Sequence, residues 1–109
     1  MLAGAGDIGL CGSPAAAVTG QLLDRIPGIV FTAGDNAYPN GRAADFRDCY
    51  DPHWGRHRER TRPAPGNHDY ESPGATPYFA YFGDNAGPAG LGYYSYVAGP
   101  WLVISLNSE

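Results

Sequence analysis

An α/β fold is predicted by three observations. The run Ile29-Val30-Phe31-Thr32-Ala33 is β-branched and aromatic, which reads as a buried strand. The stretch before it spaces apolar residues as a helix does, at Val18, Leu22, Leu23 and Ile26. The short apolar segment before that ends at Asp7, just as Ile29–Ala33 ends at Asp35. Strand, helix and strand in that order form a β-α-β unit, so the two strands should be parallel neighbours.

The elements follow in chain order. Residues 1–6 are small and apolar and read as the end of a buried strand. Gly9, Gly12, Ser13 and Pro14 form a turn, with Ser13 able to cap a helix whose first position is Pro14. The helix runs from Ala15 to Ile26, where Pro27-Gly28 stops it. Residues 39–62 read as loop and short helix, the helical part being Ala43–Tyr50. Arg62-Pro63-Ala64-Pro65 reads as an extended segment entering a third sheet position and ending at Gly66. Residues 70–90, rich in Gly, Pro, Asn and Tyr, read as a long surface excursion. Gly92–Val97 and Trp101–Leu106, joined by Ala98-Gly99-Pro100, read as a hairpin.

The 109 residues suffice for one small domain. With 16 Gly and 10 Pro the chain is loop-rich, yet its 8 Tyr, 4 Phe and 2 Trp argue against disorder. The net charge is −4 and every basic residue is Arg, so no nucleic-acid partner is expected. A phosphate handled by such a chain must be neutralised locally, by metal or by placed arginines. No apolar run reaches membrane-spanning length, so no membrane partner is expected. Met1-Leu2-Ala3-Gly4 lacks the basic and apolar regions of a secretory leader. Cys11 and Cys49 are compatible with one disulfide or with two free thiols.

Three strand-like segments end in oxygen ligands: Asp7, Asp35 and Asn67. The intervals between them each suit one crossover in a parallel sheet, which brings the three side chains to one sheet edge. Two carboxylates and an amide oxygen gathered there without a basic partner call for a cation. A pair of metal ions would clamp both oxygens of a phosphoryl transfer and generate hydroxide near neutral pH. Asx-turn chemistry is the plain alternative for each residue alone. Gly4, Gly6 and Gly9 also match a dinucleotide fingerprint, with Asp35 ending the next strand. Against that, Asp7 lies inside the glycine loop, where it would face a pyrophosphate, and the helix starts late, at Ser13-Pro14.

Gly6-Asp7-Ile8-Gly9, Gly34-Asp35-Asn36-Ala37-Tyr38 and Gly66-Asn67-His68-Asp69 resemble, in order and spacing, the first three motifs of the calcineurin-like metallophosphoesterases. Tyr38, three residues after Asp35, makes the chain most similar to the purple acid phosphatase branch. The resemblance implies a hydrolase of phosphate esters with two metal ions, iron paired with iron, zinc or manganese, and a small phosphorylated substrate. It implies that Asp7 binds the first metal, Asp35 bridges both, Tyr38 binds the first as a phenolate and Asn67 binds the second. It implies that His68 is catalytic rather than a ligand, binding phosphate or protonating the leaving oxygen. It also favours a secreted or periplasmic location. The family draws further histidine ligands from late in its chain, and no histidine here follows His68. Residues 1–109 are therefore expected to be the N-terminal half of a four-layer α/β/β/α sandwich, holding part of the metal site. A truncated, non-catalytic fragment and a dinucleotide-binding oxidoreductase are the alternatives.

His53 and His57 are expected to be a solvated pair, because Pro52 and Gly55 make a poor helix. The Arg56–Arg62 run is expected to be a solvated face, with a phosphate contact from one arginine as the minor reading. Tyr70, Tyr78, Tyr81, Tyr93, Tyr94 and Tyr96 are expected to be packing and pocket wall.

Overall fold

Strand β2 (Ile29–Thr32) is the centre of the protein. It pairs in parallel with β1 (Leu2–Ala5), in the register Leu2↔Ile29 to Ala5↔Thr32, and with β3 (Thr61–Arg62), in the register Val30↔Thr61. A computed structural model describes all residues 1–109. The sheet order β1-β2-β3 and the parallel pairing agree with the β-α-β reading. The third strand is only two residues long because Pro63 and Pro65 lack the amides to continue the ladder. The extended chain nonetheless stays against β2, with Ala64 N donating to Thr32 O at 3.2 Å.

Helix α1 spans Ala15–Leu23, shorter than expected, and Ser13 Oγ accepts from Ala15 N at 3.2 Å. Its buried stripe differs from the expected one. Ala16, Gly20 and Leu23 face the core, whereas Val18 and Leu22 are 62% and 58% exposed. The reason is close approach. A Cβ on Gly20 would lie 2.4 Å from His53 O, so α1 meets its neighbour at a residue with no side chain; Val18 and Leu22 turn outward, while Leu23 is buried as expected.

That neighbour is one long helical segment. It comprises α2 (Ala43–Asp45), a π-type stretch Phe46–Tyr50, α3 (Asp51–Trp54) and a tightened last part, Gly55–Arg60. Pro52 falls in the first turn of α3, where its missing amide costs nothing. His57 is therefore not solvated. It is 6% exposed, with Nε2 3.1 Å from Gly20 O and 3.0 Å from Asp24 Oδ1. The arginine run is likewise not a free face. Arg60 donates at 2.8 Å each to Leu23 O, Ile26 O and Gly28 O, closing the carbonyl end of α1. Arg56 forks onto both Asp24 carboxylate oxygens, and Arg58 lies over the Tyr81 ring.

Short helix α4 (Asn67–Tyr70) is followed by α5 (Thr76–Phe82), within the stretch expected to be a surface excursion. The correction has a simple cause. Tyr78 and Phe82 are spaced one turn apart and both are buried, completing the core with Phe46, Tyr50 and Trp54. Pro77 sits in the first turn of α5.

Strands β4 (Tyr94–Ala98) and β5 (Trp101–Ser105) pair as the expected antiparallel hairpin. Residues of the hairpin and of the parallel sheet together line a 280 Å³ cavity, among them Phe31, Ala33, Tyr96 and Val103. Tyr94 OH donates to Pro63 O at 2.7 Å and ties the hairpin to the segment that follows β3. The structure is thus α/β, with helices, a parallel three-stranded sheet and a small antiparallel sheet. No helix is long and apolar enough to cross a membrane.

Candidate functional site

The loops leaving β1 and β2 do not separate where the strands end. Asp7 N donates to Gly34 O, Ile8 N to Asp35 O and Gly9 N to Asn36 O, at 3.2, 3.1 and 2.9 Å. Tyr38 N returns to Gly9 O at 2.9 Å. This extension of the parallel zipper carries Asp7 and Asp35 side by side beyond the carboxyl ends of the strands, where α/β sheets place ligands.

Both aspartates have left-handed backbones, with φ of 54° at Asp7 and 51° at Asp35. Non-glycine residues rarely adopt this region, and such strain gathers at functional sites. Here it turns the two carboxylates towards one point. The Tyr38 hydroxyl occupies that point, hydrogen-bonded to Asp7 Oδ1 and lying 3.0 Å from Asp35 Oδ2. Desolvation, and then the hydrogen bonds to the two carboxylates, raise the Tyr38 phenol well above its ordinary value.

His68 stands beside this cluster, its ring 4.5 Å from that of Tyr38. Its backbone N–H donates to Asp35 Oδ1 at 3.0 Å and its Nδ1 lies 2.6 Å from Pro39 O. A carbonyl can only accept, so Nδ1 carries the proton and Nε2 is the atom left for other chemistry. The Pro39 carbonyl is the main cause that raises the His68 pKa above the usual imidazole value.

Asn67 is at the same edge, but its side chain is exposed and hydrogen-bonded to none of these groups. Its flanking residues are what touch the cluster. Gly66 presses so closely on Asp35 that a Cβ there would lie 2.3 Å from Asp35 Oδ1 and 2.4 Å from Asp35 N. The structure thus brings Asp7, Asp35, Tyr38 and His68 together and places Asn67 next to them.

Two residues had no role in the sequence reading although they lie inside the quoted motifs. Asp69 is fully buried, and its carboxylate accepts from Asn36 N, Asn36 Nδ2 and Gly66 N. Burial raises its pKa, and the hydrogen bonds from Gly66 and Asn36 oppose that shift. Asn36, also fully buried, donates its second amide bond to Ala64 O at 2.9 Å. Asp69 sits two positions after Asn67 and Asn36 directly follows Asp35; that proximity was the only sequence signal available.

The donor set suits a hard cation: two carboxylates converge on one phenol oxygen, with no Lys or Arg pairing either of them. No three His, Cys, Asp or Glu side chains gather at any point in the chain in a metal-holding arrangement. The loop carrying Asp7 is stapled further on by a Cys11–Cys49 disulfide, which resolves the open choice between bridge and free thiols. No protein-family model, no curated protein and no solved structure matches this chain.

Proposed function

We propose that the chain is part of a metallophosphoesterase of the purple acid phosphatase type, a hydrolase of small phosphate esters. The observation that carries this reading is the single Tyr38 hydroxyl shared by Asp7 and Asp35, at the end of two parallel strands. An acidic cation would take the place of the proton between them. Asp7, Asp35 and Tyr38 would hold such a centre, with Asn67 supplying the nearest amide oxygen, and histidines from outside this set would complete it. The bound metals, iron with iron, zinc or manganese, would supply a nucleophilic hydroxide and neutralise phosphate charge.

The chain's own contributions are separate from that. Asp35 is oriented by the His68 amide. His68 has Nδ1 fixed by the Pro39 carbonyl and so presents Nε2 to a substrate oxygen, either to bind phosphate or to protonate the leaving group. A raised pKa keeps more of this imidazole protonated near neutral pH, which suits both roles. Asp7 within the glycine loop bonds Tyr38 rather than leaving that space to a pyrophosphate, so the metal reading is favoured over the dinucleotide one.

A four-layer sandwich is part of the same proposal. The outer face of the hairpin is apolar and open, with Val97, Leu102, Ile104 and Leu106 each at least 65% exposed. A fourth, helical layer would cover that face. The disulfide supports a secreted or periplasmic location, since such bonds persist in oxidising compartments.

The test is metal content and turnover of a chromogenic phosphomonoester. Wild-type protein is expected to take up metal, and Asp35→Ala or Asn67→Ala to lose both metal and activity. Iron loading should produce a visible phenolate charge-transfer band that Tyr38→Phe abolishes. Unchanged metal uptake in Asp35→Ala, or a colourless iron-loaded wild type, would overturn the assignment.

A further inference from the structure

We propose that Asp69 is a positioning residue that sets the direction of the Asp35 carboxylate; its relevance to metal rests on the reading above, but its orienting role does not. The two acids form a reciprocal clasp. Asp69, fully buried, takes Asn36 N at 3.2 Å, Asn36 Nδ2 at 2.9 Å and Gly66 N at 2.9 Å. Asp35 Oδ1 takes His68 N at 3.0 Å. Each carboxylate therefore accepts an amide from the loop that carries the other.

The Asn36 N–H belongs to the peptide unit directly after the Asp35 Cα. Holding that N–H restrains ψ, the rotation about the Asp35 Cα–C bond, at a residue whose φ of 51° is already in the left-handed region. The Gly66 N–H is the matching hold on the other loop, at the residue before Asn67. There is no slack between the loops, because Gly66 lies directly against Asp35. A buried carboxylate accepting several N–H groups is a stiff anchor, since a neutral amide in its place leaves donors unpaired. A solely structural Asp69 would influence overall stability; an orienting Asp69 must also control the His68 amide, which donates to Asp35 and not to the Asp69 carboxylate.

Backbone amide exchange separates these cases without metal. Asp69→Asn keeps size and shape while removing acceptor capacity. In the folded variant, exchange at His68 N–H should accelerate at least tenfold relative to the amides of the central strand β2 around the fully buried Val30, which report global opening. Affinity for Mn2+, added as the probe, should fall at least tenfold. A folded Asp69→Asn with the wild-type ratio of His68 to strand exchange would overturn the proposal. Should that variant not fold, Asn36→Ala removes one of the donors to Asp69; at least threefold faster relative exchange at His68 is expected, and a wild-type ratio overturns the proposal. Wild-type protein that binds no Mn2+ would defeat the metal-centre reading, while the exchange ratio would still decide the role of Asp69.

Discussion

Gly66→Ala tests the closeness of the two loops most directly. The added methyl would sit 2.3 Å from Asp35 Oδ1 and 2.4 Å from Asp35 N, well inside van der Waals contact. The carboxylate can swing away, but only by releasing the His68 amide at 3.0 Å and the Tyr38 hydroxyl at 3.0 Å. The backbone nitrogen cannot swing. Overpacking of this kind costs about 1–3 kcal/mol. A lost hydrogen bond to a charged group adds about 1.5–3 kcal/mol. The less flexible unfolded chain returns about 0.4–1 kcal/mol. The net expectation is a loss of about 3 kcal/mol, which for a domain of this size lowers the melting midpoint by roughly 10–25 °C. Urea and thermal unfolding followed by tryptophan fluorescence measure it. Gly12→Ala is the control, because its Cβ would meet nothing within 4 Å and its cost is only that of a left-handed alanine, about 1 kcal/mol. A Gly66→Ala protein as stable as Gly12→Ala would refute the close approach and, with it, the geometry of Asp35.

The Tyr78 hydroxyl is buried with no hydrogen-bond partner, so Tyr78→Phe should raise stability by about 1 kcal/mol in urea unfolding; a loss of that size would show a partner that the contacts lack. Asp24, gripped by the Arg56 side chain, has its pKa lowered chiefly by that hydrogen bond. A lowered folded pKa means a contribution present above the unfolded value of about 3.9 and lost as pH falls through the lower, folded one. The stability difference between wild type and Asp24→Asn should accordingly be constant from neutral pH down to about pH 5 and vanish in stronger acid; a difference unchanged at pH 2.5 would count against the ion pair. The Cys11–Cys49 bridge closes a loop with a sequence separation of 38. Replacing both cysteines by serine should cost up to about 4 kcal/mol on loop entropy, and equal midpoints with and without reductant in the wild type would show that the bridge does not form.

Much of the fold was legible because it rests on local periodicity. Ile29–Thr32, the β-α-β order and the hairpin at Tyr94–Ser105 all follow from apolar spacing and turn residues. The side-by-side placement of Asp7 and Asp35 was legible for the same reason, since both lie where parallel strands stop. The failures are instructive in the other direction. Helix α5 was hidden by Gly74, Pro77 and Gly83, which read as loop residues until Phe82 packs against Phe46, Tyr50 and Tyr78. In α1 the largest apolar residues looked like the core face, but the partner helix comes too close for them at Gly20. His57 looked solvated because nothing in its own segment shows that Gly20 O and Asp24 lie against it.

By itself, then, the sequence determined which residues stand at the strand ends and that they carry oxygen donors, because residue type and chain spacing are local properties. Only the tertiary structure decided that Tyr38 lies between Asp7 and Asp35, that Asn67 stays beside the cluster rather than within it, and that Asp69 clasps the loop of Asp35. Those outcomes depend on the relative placement of segments about thirty residues apart. That placement is set by the parallel zipper beyond β1 and β2 and by the absence of a side chain at Gly66, and no single segment contains it.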